Sequence, residues 1–309
     1  MVGLAASPPR VRDGTTILTS LTLAVVKDSI KVSEFAPVEA RRAPMTAEIK
    51  SGTVLDRIVE ARRAAIAHRK KSVPETVLRF GVKQALPVRD FGAALGRDSL
   101  NVIAELKKAS PSRGLIRADF DPVALAKSLE IAGAAAISVL TEEEFFQGDL
   151  NHMRDARAAV GLPVLRKDFI IDPWQVWEAR ATNADSFLLI VAALDVARLG
   201  ELLALGRELG MEPLVEVHTR EELSRALAVG ARILGVNNRN LRTLEVRIGT
   251  SYELIEAIPE ECIAVCESGL RTHGDLTRLR EAGYDAFLIG EHLMAQPDPA
   301  AALQVLLGS

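Results

Sequence analysis

Short apolar runs alternate with amphipathic segments along the chain from residue 101 to the C-terminus. Eight apolar runs predict β-strands at 102–106, 136–140, 163–167, 186–191, 213–217, 233–237, 263–267 and 286–290. Apolar residues recur at helical spacing over 122–132, 150–159, 173–182, 195–209, 219–229, 249–258, 272–282 and 298–307. Strict alternation is typical of a parallel sheet, and eight repeats predict an α/β fold in which the sheet closes into a (β/α)8 TIM barrel. An open doubly wound sheet is the alternative, but no glycine fingerprint follows the first strand.

The chain before the first strand divides into two parts. Residues 1–50 mix proline, arginine and short apolar pieces without a stable period, so we expect a disordered N-terminal extension, or a segment added upstream of a true start at Met45. Over 54–71 apolar residues recur at helical spacing, after Ser51 or Thr53 as N-cap. This pattern predicts an additional N-terminal helical segment within a catalytic domain that spans 51–309.

The composition narrows the class of protein. Of the 309 residues 48% are hydrophobic and only 4% aromatic, and the net charge is −3. This balance gives no sign of a nucleic-acid-binding surface. The apolar runs are much shorter than the roughly 20 residues of a spanning helix, so we expect no membrane association.

Cysteines and histidines offer no obvious reactive or metal site. Cys262 and Cys266 lie in one predicted strand, about 13 Å apart at about 3.3 Å per residue, beyond disulfide reach. We therefore expect reduced thiols and a cytoplasmic location. Five histidines are scattered without metal-ligand spacing, so we expect no metal and interpret them as surface or packing residues: His68, His152, His218, His273 and His292.

Polar residues close several of the predicted strands. They stand on strands one, three, five, six and seven: Glu105 and Lys107, Arg166, Lys167 and Asp168, Glu216, Asn237 and Arg239, Glu267 and Ser268. TIM-barrel active sites lie at these strand ends. A single such residue could be a solvated strand end, but five strands together indicate an active site.

Strand alternation predicts which of these side chains meet. If Ile103 faces the barrel interior, Glu105 and Lys107 both point into its mouth. The same parity turns Glu267 inward and places Cys266 outward, beneath the helices. We expect the converging charges to shift the pKa values of Lys107 and Lys167 toward the proton-transfer range, which suits acid–base work on a carbonyl or imine.

Glycines follow the last two strands. Phosphate recognition in barrels usually comes from these loops, where backbone amides approach the anion closely. Here the loops contain Ser268, Gly269 and Gly290. They could be turn residues only, but their place favours a phosphorylated ligand.

Six ordered segments sharpen this picture. They read VIAELKKASPS at 102–112, LTEEEFFQG at 140–148, LRKDFI at 165–170, MEPLVE at 211–216, GVNNRNL at 235–241 and ESG at 267–269. With them the chain resembles the indole-3-glycerol phosphate synthase family, from about residue 53 to the C-terminus. The resemblance implies ring closure, decarboxylation and dehydration of 1-(2-carboxyphenylamino)-1-deoxyribulose 5-phosphate in tryptophan biosynthesis. No cofactor is required for this reaction.

The resemblance also implies roles for individual residues. Lys167 matches the general acid of ring closure and Glu216 a base or acid of the dehydration. Glu105 and Lys107 match a supporting pair, with Lys107 near the phosphate or acting as a second acid. The remaining matches are substrate contacts: Asn237 and Arg239 for hydroxyls and carboxylate, Phe146, Phe169 and Leu188 for the anthranilate ring, Ser110 and Glu267 beside the substrate, and Ser268, Gly269 and Gly290 for the phosphate and ribulose.

Other implications concern the surroundings of the site. The extra helix is expected beneath or across the barrel mouth, and His292 stands where the family commonly has a small residue. The partner is a small sugar-phosphate substrate, with other tryptophan-pathway enzymes as further candidates. We expect a monomer or a weak homo-oligomer.

Two rival functions remain to be weighed. Phosphoribosylanthranilate isomerase, another barrel of the pathway, requires a cysteine near the end of the first strand, where this chain has Glu105. A catalytically silent barrel that only binds a sugar phosphate has no reason to keep Lys107, Lys167 and Glu216 together. Both comparisons favour the synthase.

Overall fold

Eight parallel strands form a closed barrel in the computed structural model, which describes residues 52–309. The strands are β1 Asn101–Leu106, β2 Ala136–Leu140, β3 Val164–Lys167, β4 Ser186–Ile190, β5 Leu214–Val217, β6 Ile233–Asn237, β7 Ile263–Glu267 and β8 Ala286–Ile289. Each strand pairs with its neighbour in chain order, and β8 pairs with β1. The TIM-barrel prediction is confirmed, and every predicted strand lies within one residue of its expected ends. The prediction for residues 1–50 lies outside the described residues.

The described helices include every predicted one. They are α1 Val54–Ser72, α2 Glu75–Gln84, α3 Phe91–Leu95, α4 Pro122–Ile131, α5 Leu150–Ala159, α6 Pro173–Ala181, α7 Val196–Glu208, α8 Arg220–Ala228, α9 Gly249–Ile255, α10 His273–Glu281, α11 Glu291–Met294 and α12 Pro299–Leu307. The helix expected over 249–258 ends early, because Ala257 and Ile258 already bond three residues back before Pro259. From residue 52 onward no helix is long and apolar enough to cross a membrane.

Alternation along each strand divides the apolar residues into two layers. Inside the barrel lie Ile103, Leu165, Leu188, Leu214, Ile233, Val265 and Leu288, with Phe91 and Leu95 of α3 packed against them. Residues of the opposite parity pack beneath the outer helices, among them Ala264 and Cys266. Ile103 therefore faces the interior and Cys266 faces outward, as the strand parity predicts.

The α1 helix is fixed to the barrel by a buried ion pair. Arg62 Nη2 donates to Asp168 Oδ2 at 2.8 Å, and both side chains are almost fully buried. The same Asp168 oxygen accepts bonds from Arg166 Nη2 at 3.0 Å and Thr141 Oγ1 at 2.7 Å. Because Asp168 follows the last residue of β3, this pair places the start of α1 across the barrel mouth.

Candidate active site

A cavity opens at the carboxyl ends of the strands, where about 1020 Å³ of space is partly continuous with solvent. Nearly all residues predicted for the site line it: Glu105, Lys107, Ser110, Phe146, Lys167, Phe169, Leu188, Glu216, Asn237, Arg239, Glu267, Ser268 and Gly290. Gly269 instead lines an adjoining cleft that shares Arg239 and Gly290 with the cavity. Its lining of apolar side chains with a few converging charged groups is typical of a small-molecule site.

Lys167 lies at the centre of the charged floor of the cavity, which consists of this lysine and Glu105, Glu216 and Glu267. Its Nζ donates to Glu267 Oε2 at 2.8 Å and to Glu216 Oε2 at 3.1 Å. These residues end or occupy β3, β7 and β5, and Glu105 on β1 lies close enough to influence them electrostatically. All four therefore come from odd-numbered strands, which in TIM barrels contribute side chains to a common layer.

Burial and charge set the protonation of this floor. Burial alone would lower the pKa of Lys167, but the carboxylates of Glu267, Glu216 and Glu105 outweigh it and raise the pKa. The expected shift of this lysine toward the proton-transfer range is therefore wrong for the substrate-free site: three carboxylates hold the ammonium charged. In Glu216, burial would raise the pKa, but Lys167 and then His218 lower it.

The other carboxylate beside Lys167 behaves differently. Burial and the nearby charges of Glu216 and Glu105 raise the pKa of Glu267 to about 7. Lys167 favours the ionised carboxylate and opposes this rise only in part. The floor thus combines a charged ammonium, an ionised carboxylate and a carboxyl group that titrates near neutrality. These are the parts needed for acid–base chemistry.

Two glycines leave room for the buried carboxylates. A Cβ on Gly290 would collide with the side chain of Glu105, and one on Gly235 would collide with Glu267 Oε1. Glu105 in turn forms an ion pair with Lys107, at 2.5 Å between Oε1 and Nζ. Gly290, predicted for the phosphate, thus also makes space for Glu105.

The loops after β7 and β8 form the basic side of the site. Ser268 and Gly269 have φ values of 68° and 86°, and a Cβ on Gly269 would lie 2.7 Å from Val246 Cγ1, so this position requires glycine. The adjoining cleft is lined by Arg113, Arg239, Arg271 and His292, among others. The three arginines make this cleft suitable for an anion.

Within that cleft a carboxylate already binds two of the arginines. Glu291 lies 2.9 Å from Arg113 Nε and 3.3 Å from Arg239 Nη2. Arg239 also donates to the backbone oxygen of Leu244 at 3.2 Å. Its guanidinium is therefore held between Glu291 and the loop after β6. Sequence reasoning did not foresee the Glu291 contact, because Glu291 lies on the unpredicted α11.

Apolar side chains close the opposite wall. The rings of Phe146 and Phe169 lie 6.0 Å apart at 37°, and Leu188 lines the cavity with them. Leu55 and Ile58 of α1 complete the wall from above. The helix therefore lies across the mouth, the second of the two positions that the resemblance allows.

His218 contacts the site residue Glu216 from outside the cavity, although sequence reasoning treated it as a surface or packing residue. Its Nε2 lies 3.3 Å from Glu216 Oε1, and its Nδ1 lies 3.1 Å from Glu222 Oε2. Strand parity could have found it, because His218 stands two residues after Glu216, just beyond the end of β5.

The cysteines take no part in the cavity. Burial raises the pKa of the Cys266 thiol to about 12, and Cys266 contacts Ser251 Oγ and Asn238 Nδ2. Cys262 Sγ faces the backbone oxygen of Ala231. In the part of the chain that the structure describes, no cluster of three or more His, Cys, Asp or Glu could hold a metal ion.

Comparison with known sequences gives one consistent result. A family profile described as indole-3-glycerol phosphate synthase matches residues 55–306. Indole-3-glycerol phosphate synthase of Laribacter hongkongensis is 48% identical over 255 residues, 81% of this chain and 97% of the relative. The indole-3-glycerol phosphate synthase of Sulfurimonas denitrificans is 48% identical over 82% of this chain and 98% of its own length. That of Zymomonas mobilis subsp. pomaceae is 46% identical with the same coverage.

Comparison with solved structures supports the fold alone. The 3-hexulose-6-phosphate synthase of Salmonella typhimurium superposes with a TM-score of 0.55 at 12% identity, over 68% of this chain and 97% of that one. A mandelate oxidase variant gives a TM-score of 0.54 at 17% identity, over 76% and 83% of the two chains. Both likenesses extend over more than two thirds of this chain.

Proposed function

The chain belongs to the indole-3-glycerol phosphate synthase family, and we propose how its cavity carries out that family's reaction. The protein is a carboxy-lyase of tryptophan biosynthesis that converts 1-(2-carboxyphenylamino)-1-deoxy-D-ribulose 5-phosphate to indole-3-glycerol phosphate. The reaction comprises ring closure, loss of CO₂ and loss of water. The observation that carries the assignment of roles is the position of the Lys167 ammonium between Glu216 and Glu267.

Ring closure is the step assigned to Lys167. As the aromatic carbon attacks the ketose carbonyl, negative charge develops on its oxygen, and the ammonium donates a proton to it. Glu267 lies 2.8 Å from Lys167 Nζ and titrates near neutrality, so it can return a proton to the amine. Lys107 and its partner Glu105 support this acid from the first strand.

Decarboxylation follows in the apolar part of the cavity. Phe146, Phe169 and Leu188 would hold the anthranilate ring, while Arg239 and Asn237 orient the carboxylate and the hydroxyls. Loss of CO₂ restores the aromatic ring and requires no electron acceptor. No cofactor or metal has a step to perform in this scheme.

Dehydration is the step assigned to Glu216. Its ionised carboxylate accepts the proton that the ring carbon loses, while Lys167, once reprotonated by Glu267, gives a proton to the hydroxyl that leaves as water. Asn237, beside Glu216, favours the charged form of this carboxylate. The phosphate would lie against Ser268, Gly269 and Gly290, with Lys107 and Ser110 at its edge.

Replacing Lys167 by Ala should test the assignment most directly. We expect kcat to fall by about 10²-fold or more, the usual size of an acid–base contribution. Turnover of the substrate is followed by indole fluorescence and released CO₂, and Lys127→Ala, an exposed lysine on α4, serves as the control. Near-normal kcat in Lys167→Ala would refute the role, and folded wild-type protein that binds substrate without forming product would favour a silent binding barrel.

We further propose a setting for this activity. The catalytic domain would run from about residue 51 to 309, which agrees with the matched range 55–306. A cytoplasmic location is supported by the two free thiols, Cys262 and Cys266. A monomer or weak homo-oligomer, with other tryptophan-pathway enzymes as occasional partners, would suffice because a single chain supplies every proposed role.

A further inference from the structure

Three side chains form a line from the rim of the barrel to the cavity floor. Glu222 on α8 lies at the outer end, His218 just after β5 in the middle, and Glu216 at the inner end. Glu222 Oε2 accepts from the His218 backbone N–H at 2.7 Å and lies 3.1 Å from the ring Nδ1. The other ring nitrogen lies 3.3 Å from Glu216 Oε1. Both edges of the imidazole therefore face carboxylates.

Burial increases along this line. The exposed fractions of the side chains are 16% for Glu222, 11% for His218 and 3% for Glu216. His218 and Glu222 line a cleft outside the catalytic cavity, whereas Glu216 lines the cavity itself, and Asn237 belongs to both. The imidazole thus contacts Glu216 from a neighbouring cleft and not from within the catalytic cavity.

The two oxygens of Glu216 have different partners. Oε2 accepts from Lys167, and Oε1 faces His218. Lys167 is shared with Glu267 and, in the proposed function, gives its proton to the substrate. When it does so, the ammonium charge beside Glu216 is lost, and His218 is the cation that stays.

We propose that His218 is a positioning residue, which fixes the orientation of the Glu216 carboxylate and keeps it ionised while Lys167 transfers its proton. Glu222 holds the imidazole in place for this purpose. The inference rests on the proposed function, because it concerns Glu216 as the base of the dehydration. His218 itself gives up no proton and touches no substrate.

The charges around the imidazole agree with this role. Burial alone would lower the pKa of His218, but Glu216 and Glu222 outweigh it and raise the pKa to about 10. The ring is therefore an imidazolium at neutral pH. The cleft that it shares with Glu222 is further lined by the charged side chains of Asp56 on α1, Arg225 on α8, and Arg242, Glu245 and Arg247 after β6.

The surroundings of Glu216 and the other side of His218 complete the charge environment. Glu216 faces Lys167 on β3 and lies close to Glu267 on β7, which also senses Glu105 on β1. A second cleft beside His218 is lined by Arg220 of α8 and Glu253 of α9, among others. The ion-pair partners of the imidazole within the described residues are Glu216 and Glu222.

Replacing His218 by Asn tests the proposal, since Asn keeps a hydrogen-bonding group but removes the charge. We expect kcat to fall by about ten- to a hundredfold, with KM changed less than about twofold, as for a misplaced catalytic group. The acidic limb of kcat/KM reports the coupled Glu216 and Glu267 carboxylates. Loss of the His218 imidazolium should move this acidic limb about one pH unit toward higher pH.

Two variants on α8 accompany this experiment, the first as a second test and the other as its control. Glu222→Gln should shift the acidic limb in the same direction by a smaller amount, because the ring loses its outer carboxylate. Glu221→Gln changes an exposed carboxylate on the same turn and should leave both kcat and the limb as in the wild type. If circular dichroism shows that His218→Asn does not fold, the shift of the acidic limb in Glu222→Gln tests the proposal instead.

The outcomes separate this inference from the proposed function. Near-normal kcat in Glu216→Gln would overturn the role of Glu216 itself. An inactive Glu216→Gln together with a wild-type kcat and an unshifted limb in His218→Asn would overturn only the role of His218. A variant that lowers the yield of folded protein without moving the limb would assign His218 a structural role and contradict the proposal.

Discussion

Replacing Arg62 by Ala removes the buried cation that joins α1 to the barrel. Asp168 then keeps its negative charge in a site with no measurable exposure of its side chain. It also keeps two partners, Arg166 at 3.0 Å and Thr141 at 2.7 Å, on the oxygen that Arg62 contacted. The substitution therefore tests the cost of leaving a buried carboxylate with part of its original compensation.

The size of the effect follows from this partial compensation. Removing one partner of a buried ion pair typically costs about 3–5 kcal/mol. Because Arg166 and Thr141 remain, we expect the lower end, about 3 kcal/mol. For a domain of this size such a loss lowers Tm by about 6–12 °C.

The pH dependence provides a second, independent readout. Burial alone would raise the pKa of Asp168, but Arg62, Arg166 and Thr141 outweigh it and lower the pKa in the folded protein. Its stabilising contribution is therefore present above the pKa of the unfolded chain and is lost as pH falls through the folded value. Without Arg62 the folded pKa rises, so the deficit should be largest at neutral pH and should shrink on acidification, as the carboxyl group becomes neutral.

Urea unfolding followed by circular dichroism at pH 7 and pH 4 measures both effects. Arg63→Ala is the matched control, because Arg63 is the next residue of the same helix and is exposed. A free energy of unfolding for Arg62→Ala within about 0.5 kcal/mol of that control would refute the reasoning, since surface substitutions usually stay within that range. A deficit that does not change with pH would show that Asp168 is not its cause.

Two further predictions concern the glycine and carboxylate pairs of the floor. Gly235→Ala should lower kcat by about tenfold or more, because the new Cβ displaces Glu267 and so misplaces Lys167, whereas Gly200→Ala, whose Cβ would lie 3.6 Å from Val229 Cγ1, should leave kcat unchanged. Steady-state kinetics of the two variants checks this, and equal kcat values would contradict it. In the wild type, the raised pKa of Glu267 contributes stability that is fully present below its unfolded value and is lost as pH rises through about 7. Urea unfolding from pH 5 to 8.5 should therefore show a decline in stability that Glu267→Gln lacks, and identical pH profiles would exclude Glu267 as the titrating group.

Periodicity was sufficient to predict the barrel, because each strand and outer helix carries its own pattern. It failed for α3 and α11, whose 5 and 4 residues are too short to show a helical period, and it also missed the 10-residue α2. Strand parity placed Glu105 and Glu267 inside the barrel, since alternation is a local property.

Other features of the site depend on distances between separate elements, so no single segment of the sequence could predict them. The raised pKa of Lys167 results from carboxylates on three other strands, so the sequence alone suggested the wrong direction. His218 stood two residues after Glu216, within reach of the parity argument, but its role depends on Glu222 from the next helix. The buried state of Arg62 likewise depends on a partner 106 residues away.

The odd-strand origin of the charged floor has a consequence for folding. Lys167 and Glu267 are separated by 100 residues, and their neighbours Glu105 and Glu216 lie on two further repeats. No half of the barrel contains all four, so a partly folded chain can hold native strands and helices and yet lack the arrangement that performs the reaction. Activity is therefore a more stringent reporter of native barrel assembly than helix content, and its recovery during refolding requires β1, β3, β5 and β7 to be in place together.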